Sequence, residues 1–228
     1  MIKENRVKEI SGLIRRSYGK YLRPFKATPP IDELIRTILS QNTSDSNSLT
    51  AFAVLKRNFK SWEGLLKTDT AKLSRLIKHA GLANIKAKRI KEVLLEIKRR
   101  ECRLSLGSLK DMSVREALAY LESLKGVGPK TAACVLLFSF GKPVMPVDTH
   151  IYRVAKRLGL IPEESGIEEA HQKLTDMVPK SLIYEFHLGI IEHGRKICKA
   201  QNPRCGVCFL YSLCRFKDRT FYKRRVKY

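Results

Sequence analysis

The sequence predicts an all-α protein, and three observations support that fold class. Apolar residues recur three and four positions apart along most of the chain, which is the spacing of one helix face. No segment shows the apolar–polar alternation of a half-buried strand. Hydrophobic residues make up 43% of the 228 positions, enough for a sizeable core and too many for a disordered chain. We therefore expect packed helices, and not a sheet, to supply the core.

The first elements are predicted from apolar spacing and from helix-breaking residues. Residues 1–22 form an amphipathic helix, with apolar residues on one face and Lys and Arg on the other. The proline-rich stretch 24–30 is a loop, and an apolar helix follows over 31–39. Asp45 is expected to cap the next helix, because aspartate accepts hydrogen bonds from the free amides of a first turn.

Capping residues mark most of the later helices. Ser61 and Asp69 each precede a short apolar segment, and the apolar spacing over 90–97 predicts a longer helix. A serine followed three positions later by glutamate is a capping box, in which two free amides are satisfied reciprocally. Two such boxes are predicted, Ser113 with Glu116 and Ser165 with Glu168.

A glycine-rich turn separates two helical segments in the middle of the chain. Gly126, Val127 and Gly128 interrupt the helical periodicity, and the two glycines can supply backbone angles that other residues resist. Pro129 suits the first position of the following helix, because an N–H at that position has no partner within the helix. Lys130 then lies in a first turn whose amides face outward. Such a helix start is a ready anion site.

The balance of charge indicates which anion is bound. The chain has 45 Lys and Arg against 22 Asp and Glu, a net charge of +23. So large a surplus indicates a polyanionic partner, and the predicted ligand of the turn is a nucleic-acid phosphate. An anionic membrane attracts the same charge, but no apolar run approaches the ~18 residues of a membrane span, and no apolar signal region follows Met1. We expect a monomeric, cytoplasmic, nucleoid-associated protein that does not bind membranes.

Four of the six cysteines lie close together near the C-terminus, with spacings of six, two and five intervening residues: Cys198, Cys205, Cys208 and Cys214. Four thiolates in so short a loop can surround one metal centre. A structural zinc ion and an iron–sulfur cluster are both open, although zinc sites more often pair two short Cys-x2-Cys knuckles and this loop has one. Cys102 and Cys134 are predicted to be small buried hydrophobic residues.

The turn and the cysteine loop together resemble endonuclease III, a family within the helix-hairpin-helix, Gly/Pro/Asp superfamily of base-excision DNA glycosylases. LKGVGPKTA at 124–132, followed by PVDTHIYRV at 146–154, carries the first likeness. The family's catalytic lysine falls on Lys130 and its catalytic aspartate on Asp148. The cysteine spacing matches the [4Fe-4S] loop of the family, so the resemblance favours that cluster over zinc.

The resemblance also implies two helical lobes with a DNA-binding cleft between them. One lobe is a six-helix barrel over residues 23–142, which contains the hairpin. The other is an iron–sulfur cluster domain built from residues 1–22 and 143–228. The DNA-binding residues of the hairpin would be Lys125, Gly126, Val127 and Gly128.

The chemistry expected of the catalytic pair follows from the residue types. A neutral amine at Lys130 can attack C1′ of a damaged nucleotide, and expulsion of the base leaves an imine that permits strand cleavage by β-elimination. The Asp148 carboxylate can stabilise positive charge on the sugar while it also caps the following helix. The expected function is that of a DNA glycosylase with AP lyase activity. Its substrate would be double-stranded DNA that contains damaged bases, oxidised pyrimidines in particular, or abasic sites.

Two alternative functions stay open. A monofunctional mismatch or alkyl-base glycosylase would use Asp148 to activate water and would leave the abasic strand intact. A non-catalytic helix-hairpin-helix DNA-binding protein would hold phosphates without releasing a base, and its binding would be sensitive to salt.

Two loops resemble those with which the family fills the gap left by an everted nucleotide. In SQNTSD, residues 40–45, the family's glutamine falls on Asn42, with Gln41 one step earlier, so which of the two enters the base stack is open. The tetrapeptide QNTS also resembles plant 5-methylcytosine glycosylases, which leaves the excised base open. In GLANIKAKRI, residues 81–90, Leu82 is either an apolar wedge or an ordinary packing residue.

Overall fold

The computed structural model describes residues 2–19 and 22–225, and all regular secondary structure in those ranges is helical. The all-α prediction is confirmed. The predicted first helix, residues 1–22, extends over Ile2–Tyr18, and Met1, Lys20 and Tyr21 lie outside the described residues. Within the described ranges, no helix has both the length and the apolar character that a bilayer crossing requires.

The chain divides into two compact units, Lys26–Lys142 and a second unit formed by Met1–Phe25 with Pro143–Tyr228. The helices of the unit Lys26–Lys142 are α2 (Pro30–Ser40), α3 (Asp45–Asn58), α4 (Trp62–Lys67), α5 (Thr70–Leu76), α6 (Ala83–Glu101), α7 (Val114–Glu122) and α8 (Pro129–Phe140). The helices of the second unit are α1 (Ile2–Tyr18), α9 (Thr149–Arg157), α10 (Ile167–Met177), α11 (Ile183–Lys196) and α12 (Arg219–Arg225).

Helix α2 provides much of the core of the unit Lys26–Lys142. It packs against α3, α6 and α8, and the apolar stripe predicted over 90–97 of α6 is buried as expected. The N–H of Thr28 donates to the Phe138 carbonyl at 3.0 Å, which fastens the loop before α2 to the end of α8. The buried apolar residues of α2 are Ile31, Leu34, Ile35, Ile38 and Leu39.

Most of the predicted helix caps are confirmed, and one is displaced by a residue. Ser44, and not Asp45, caps α3: its Oγ accepts a hydrogen bond from the Asn47 N–H at 3.2 Å. The prediction for Asp45 is therefore wrong, although its carboxylate still favours the helix because it faces the positive end of the helix dipole. The confirmed caps are Ser61, Asp69 and the box of Ser113 with Glu116.

The second predicted capping box, Ser165 with Glu168, is wrong. Gly166 is the N-cap of α10, one residue later than predicted, and the Glu169 carboxylate accepts a hydrogen bond from the Gly166 N–H. Ser165 is buried, and its carbonyl accepts a hydrogen bond from the Tyr152 hydroxyl at 2.5 Å. The Ser165 hydroxyl interacts with the side chains of Glu169 and Lys173, and not with a backbone amide of α10.

The two cysteines outside the C-terminal loop differ in exposure. Cys134 is buried in α8, which confirms the prediction for that residue. Cys102 is exposed and directly follows α6 with a left-handed backbone, φ 58°, so the prediction that it is buried is wrong. A left-handed residue commonly ends a helix, and this helix ends at the surface.

In the second unit, α1 and α9 pack against α11. A Cβ at Gly189 of α11 would lie only 2.1 Å from Cγ2 of Ile14 in α1. Ile14 is fully buried, and a β-branched side chain in a helix has little rotational freedom with which to move away. The close approach of α1 and α11 therefore depends on the absence of a side chain at position 189.

We expect Gly189→Ala to destabilise the protein by about 1–3 kcal/mol, the usual cost of overpacking a core. Gly64→Ala is the matched control, because Gly64 is also helical and a Cβ there makes only an ordinary contact at 3.8 Å. That control should be neutral or stabilising by up to ~1 kcal/mol. Urea unfolding measures both changes. In an Ile14→Ala background the cost of Gly189→Ala should shrink, and an unchanged cost would contradict the packing explanation.

Candidate functional site

The turn between α7 and α8 contains two glycines, and its geometry requires glycine only at Gly126. Gly126 has a left-handed backbone, φ 88°, and a Cβ there would lie 2.4 Å from Nε of Arg89. Val127 is buried, and its N–H closes the turn by donating to the Leu124 carbonyl at 2.9 Å. Gly128 has a φ of −96°, which any residue can adopt. The prediction that both glycines supply unusual backbone angles is thus wrong for Gly128.

The backbone around Gly128 is open, and Lys130 lies beside it. Beyond its chain neighbours, no atom within 4 Å would meet a Cβ at Gly128. Pro129 is the first residue of α8, as predicted, and the N–H of Ala132 donates to the Gly128 carbonyl at 3.0 Å. Lys130 is half-buried in this first turn, next to the amides that precede that hydrogen bond, whereas Lys125 is exposed.

The loop that follows α2 is fastened to the hairpin through Gln41. Nη1 of Arg89 donates to Oε1 of Gln41 at 2.6 Å, and Nε2 of Gln41 donates to Oγ1 of Thr131 at 3.4 Å. Both ends of the Gln41 carboxamide are therefore engaged, one of them by the residue that follows Lys130. Asn42 is exposed and has a left-handed backbone, φ 50°.

Leu82 projects into solvent just before α6. It is 53% exposed and has a φ of 48°, a conformation that leucine rarely adopts. Leu82 is therefore not part of the buried core. Ile85, at 54% exposure, follows one helical turn later, so two apolar side chains stand exposed at the start of α6.

Lys86 is a candidate site residue that the sequence motifs did not indicate. Its side chain is 1% exposed, and its Nζ donates to the carbonyl oxygens of Leu39 and Ala80, each at 2.7 Å. Burial, and then the charge of Arg89, lower the pKa of Lys86. In a basic run this residue resembles any solvated lysine. One signal was available, because Lys86 lies four positions before Ile90 and so falls on the apolar stripe of α6.

Asp148 is the N-cap of α9, as predicted, and its Oδ1 accepts a hydrogen bond from the Ile151 N–H at 2.8 Å. This bond fixes the orientation of the carboxylate. Asp148 belongs to the second unit, whereas Lys130 and the hairpin belong to the unit Lys26–Lys142.

Two arginines of α9, which sequence reasoning also missed, tie that helix to the cysteine loop. Nε of Arg153 donates to the Cys198 carbonyl at 2.9 Å, and its Nη2 donates to the Gly194 carbonyl at 2.9 Å. Nη1 of Arg157 donates to Sγ of Cys198 at 3.4 Å. Their spacing of four positions, which places both on one helix face, was the available signal. The helix that Asp148 caps is therefore anchored at the first cysteine of the loop.

The four cysteines of the loop line a single cavity: Cys198, Cys205, Cys208 and Cys214. Among the described residues, no three or more His, Cys, Asp or Glu side chains are placed to hold one metal ion. Four thiols that line one cavity match the four Cys thiolates that hold an iron–sulfur cluster.

The surroundings of three of the four thiols favour the protonated form until a metal centre binds. Burial raises the pKa of the Cys208 thiol to about 12, and burial with repulsion between the cysteines raises those of Cys205 and Cys214. A metal centre has to displace these protons. The Arg157 guanidinium donates to Cys198 Sγ, so a charged hydrogen-bond donor lies beside the first cysteine of the loop.

Comparison with known proteins agrees with this geometry. Residues 35–180 match the HhH-GPD superfamily base excision DNA repair proteins, and residues 198–214 match the iron-sulfur binding domain of endonuclease III. The structure of a non-covalent endonuclease III–DNA complex superimposes with a TM-score of 0.83 at 26% identity, covering 99% of this chain and 100% of that one. A trapped endonuclease III–DNA covalent intermediate superimposes with a TM-score of 0.81 at 26% identity, covering 100% of both chains.

Individual relatives cover most of the chain. It is 37% identical over 218 residues to endonuclease III of Thermotoga maritima, spanning 96% of this chain and 95% of the relative. It is 35% identical over 190 residues to endonuclease III of Escherichia coli, spanning 83% and 85% respectively. A putative DNA glycosylase of Arabidopsis thaliana is 38% identical over 168 residues, which are 74% of this chain and 57% of the plant protein. The protein carries a [4Fe-4S] cluster, and the chain belongs to the endonuclease III family of the HhH-GPD superfamily of base excision DNA repair proteins.

Proposed function

We propose that this chain is a base excision repair DNA glycosylase with AP lyase activity, in which Lys130 is the nucleophile and Asp148 the assisting carboxylate. The observation that carries the proposal is the position of Lys130, half-buried in the first turn of α8 beside the open backbone of Gly128. One endonuclease III of the same fold has been trapped as a covalent intermediate with DNA. A lysine nucleophile accounts for such an intermediate.

The reaction proceeds through a bond between the Lys130 amine and C1′ of an everted nucleotide. The amine attacks C1′, the bond from C1′ to the base breaks, and the base leaves with the bonding electrons and takes up a proton. Loss of a proton from the nitrogen and opening of the sugar ring give an imine, which acidifies C2′. Removal of the C2′ proton expels the 3′ phosphate and cleaves the strand. Asp148, oriented by its bond to the Ile151 N–H, stabilises positive charge on the sugar.

DNA is the partner, and we propose that the substrate is duplex DNA with damaged bases, oxidised pyrimidines in particular, or abasic sites. The exposed Lys125 and the turn Gly126–Gly128 would bind the phosphates. Because a Cβ at Gly128 meets no neighbouring atom, that space is available to a phosphate backbone. The protein would act as a monomer.

The unit Lys26–Lys142 would be the six-helix barrel domain, and the second unit the iron–sulfur domain. The proposed cluster ligands are the thiolates of Cys198, Cys205, Cys208 and Cys214. When bound, the cluster would hold residues 198–214 in a fixed loop. That loop would present exposed basic side chains, Lys199 and Arg204, to phosphates.

Asn42, and not Gln41, would enter the base stack. The Gln41 side chain is engaged at both ends by Arg89 and Thr131, whereas Asn42 is exposed at the tip of the loop. Insertion of Gln41 would require both of its hydrogen bonds to break. Leu82, exposed at the start of α6, would act as the second wedge.

Borohydride should trap a covalent complex between the protein and duplex DNA that contains an oxidised pyrimidine, and Lys130→Gln should form none. Asp148→Asn is the matched variant. It keeps the amine, so it should still be trapped on a preformed abasic site while base release slows by roughly 10²–10⁴-fold. Denaturing gel electrophoresis measures both products.

The two alternative functions give different results in the same assay. Base release with an intact abasic strand, unaffected by Lys130→Gln, would identify a monofunctional glycosylase. Salt-sensitive binding without any base release, unchanged by Asp148→Asn, would identify a non-catalytic DNA-binding protein.

A disulfide cross-link should distinguish the two wedge candidates. The DNA carries, on the base opposite an abasic site, a tether that ends in a mixed disulfide, so that a cysteine thiolate can attack it and release the leaving thiol. Asn42→Cys should cross-link efficiently, and Gln41→Cys should react no faster than the parent protein, whose exposed Cys102 provides the background rate. Faster reaction of Gln41→Cys than of Asn42→Cys would reverse the assignment.

Cys208→Ser should lower the iron content and expose residues 198–214 to protease, because a metal-held loop loses its structure without its ligands. Cys102→Ser, which alters a cysteine at the end of α6, should retain full iron content. Iron analysis and limited proteolysis measure the two effects. A Cys208→Ser protein with undiminished iron would remove Cys208 from the ligand set.

A further inference from the structure

Lys86 is a buried cation whose volume an apolar side chain could fill. It is among the largest fully buried side chains of the described chain, and its Nζ lies 2.7 Å from two main-chain oxygens. Burying an ammonium group is costly unless hydrogen bonds compensate. A lysine at this position therefore has its main effect through the two carbonyl groups that it holds, and not through packing.

The two carbonyl groups stand at the base of two different loops. Leu39 lies in the last turn of α2, three residues before Asn42. Ala80 ends the short 3-10 turn Lys78–Ala80, two residues before Leu82. Carbonyl groups at a helix end lack partners within the helix, and a cation there interacts favourably with the helix dipole. One ammonium group thus satisfies both helix ends and fixes the distance between them.

Both loops carry backbone strain close to this contact. Asn42 has a φ of 50° and Leu82 a φ of 48°, two of the few non-glycine residues with positive φ in the described chain. Such conformations are sparsely populated and persist only where surrounding contacts hold them. The Lys86 hydrogen bonds are contacts of this kind, because each is made within three residues of a strained position.

Arg89, one turn after Lys86 on α6, adds a third attachment. It donates to Gln41, and its side chain lies against Gly126 in the hairpin turn. The first two turns of α6 therefore connect the loop after α2, the loop before α6 and the hairpin.

We infer that Lys86 is a positioning residue that holds the Asn42 loop and the Leu82 loop at a fixed spacing, so that both loops enter the duplex together. The inference rests on the proposed function, since it assigns these loops to the eversion of a damaged nucleotide. It adds a residue that touches neither DNA nor the reacting atoms. Eversion requires both loops in place at once, so a change in their spacing would impair eversion and leave the Lys130 chemistry unchanged.

The test compares two substrates that differ only in their need for eversion. Base release from a damaged duplex needs the loops, whereas borohydride trapping on a single-stranded abasic site does not. Lys86→Met removes the ammonium group and keeps much of the side-chain volume. We expect it to slow base release from the duplex by roughly 10- to 100-fold, with trapping on the single strand within about twofold of the parent. Lys98→Met removes an exposed lysine near the other end of the same helix and should change neither rate.

Amide hydrogen exchange gives a second readout that does not depend on activity. In Lys86→Met, exchange should rise at residues 39–42 and 80–83 and stay unchanged in α8. If Lys86→Met does not fold, Lys86→Gln, which keeps a donor on a shorter side chain, allows the same comparison.

Each outcome separates the inference from the proposed function. A parent protein that neither releases base nor is trapped on either substrate overturns the proposed function. A parent that acts, with a Lys86→Met protein that matches it on the duplex, overturns the positioning role. Equal losses on the duplex and the single strand overturn it too, because they show a general structural defect.

Discussion

Position 126 accepts only a residue without a side chain, and the geometry of the hairpin follows from this constraint. The backbone there is left-handed, and the Arg89 side chain crosses the space that a Cβ would fill. From this place the guanidinium reaches Gln41, whose amide in turn reaches Thr131, next to Lys130. A side chain at 126 would displace Arg89 and disturb these contacts. The close approach of Arg89 to Gly126 thus connects the turn, the loop after α2 and the start of α8, which carries the proposed nucleophile.

The many Lys and Arg residues of this chain are of two kinds, exposed and buried. Exposed residues such as Lys125 are available to phosphates, whereas Lys86, Arg89, Arg153 and Arg157 are buried or half-buried and donate to groups of the protein. The net charge of +23 therefore overstates the charge that can pair with DNA. Salt dependence of binding reports on the exposed cations only, because only they release counterions from the nucleic acid.

Local signals in the sequence predicted the all-α fold and most helix starts, because a cap needs only a few neighbouring residues. They failed at Ser165, because α10 has its N-cap one residue later, at Gly166, and the Ser165 hydroxyl interacts with side chains instead. The hairpin and the cysteine loop were predictable because each needs particular residue types at fixed spacing. Lys86 and Arg153 were missed, since residue type does not distinguish a buried cation from a solvated one and only their places on a helix face indicated it. What distinguishes them is the set of carbonyl groups that other segments bring to them, and that set exists only in the folded chain.

At Leu82, the residue that favours folding stability differs from the residue that the proposed DNA contact needs. A leucine held at φ 48° lowers the free energy of unfolding by roughly 1–2 kcal/mol relative to a residue without this steric cost. A glycine there would therefore give a more stable fold. The same replacement would remove the apolar side chain that the loop presents to solvent. Under the proposed wedge role of Leu82, selection for heat tolerance and selection for repair act in opposite directions at this position. A thermostable descendant of this enzyme would have to accumulate its gains in the two helical cores, away from the loop.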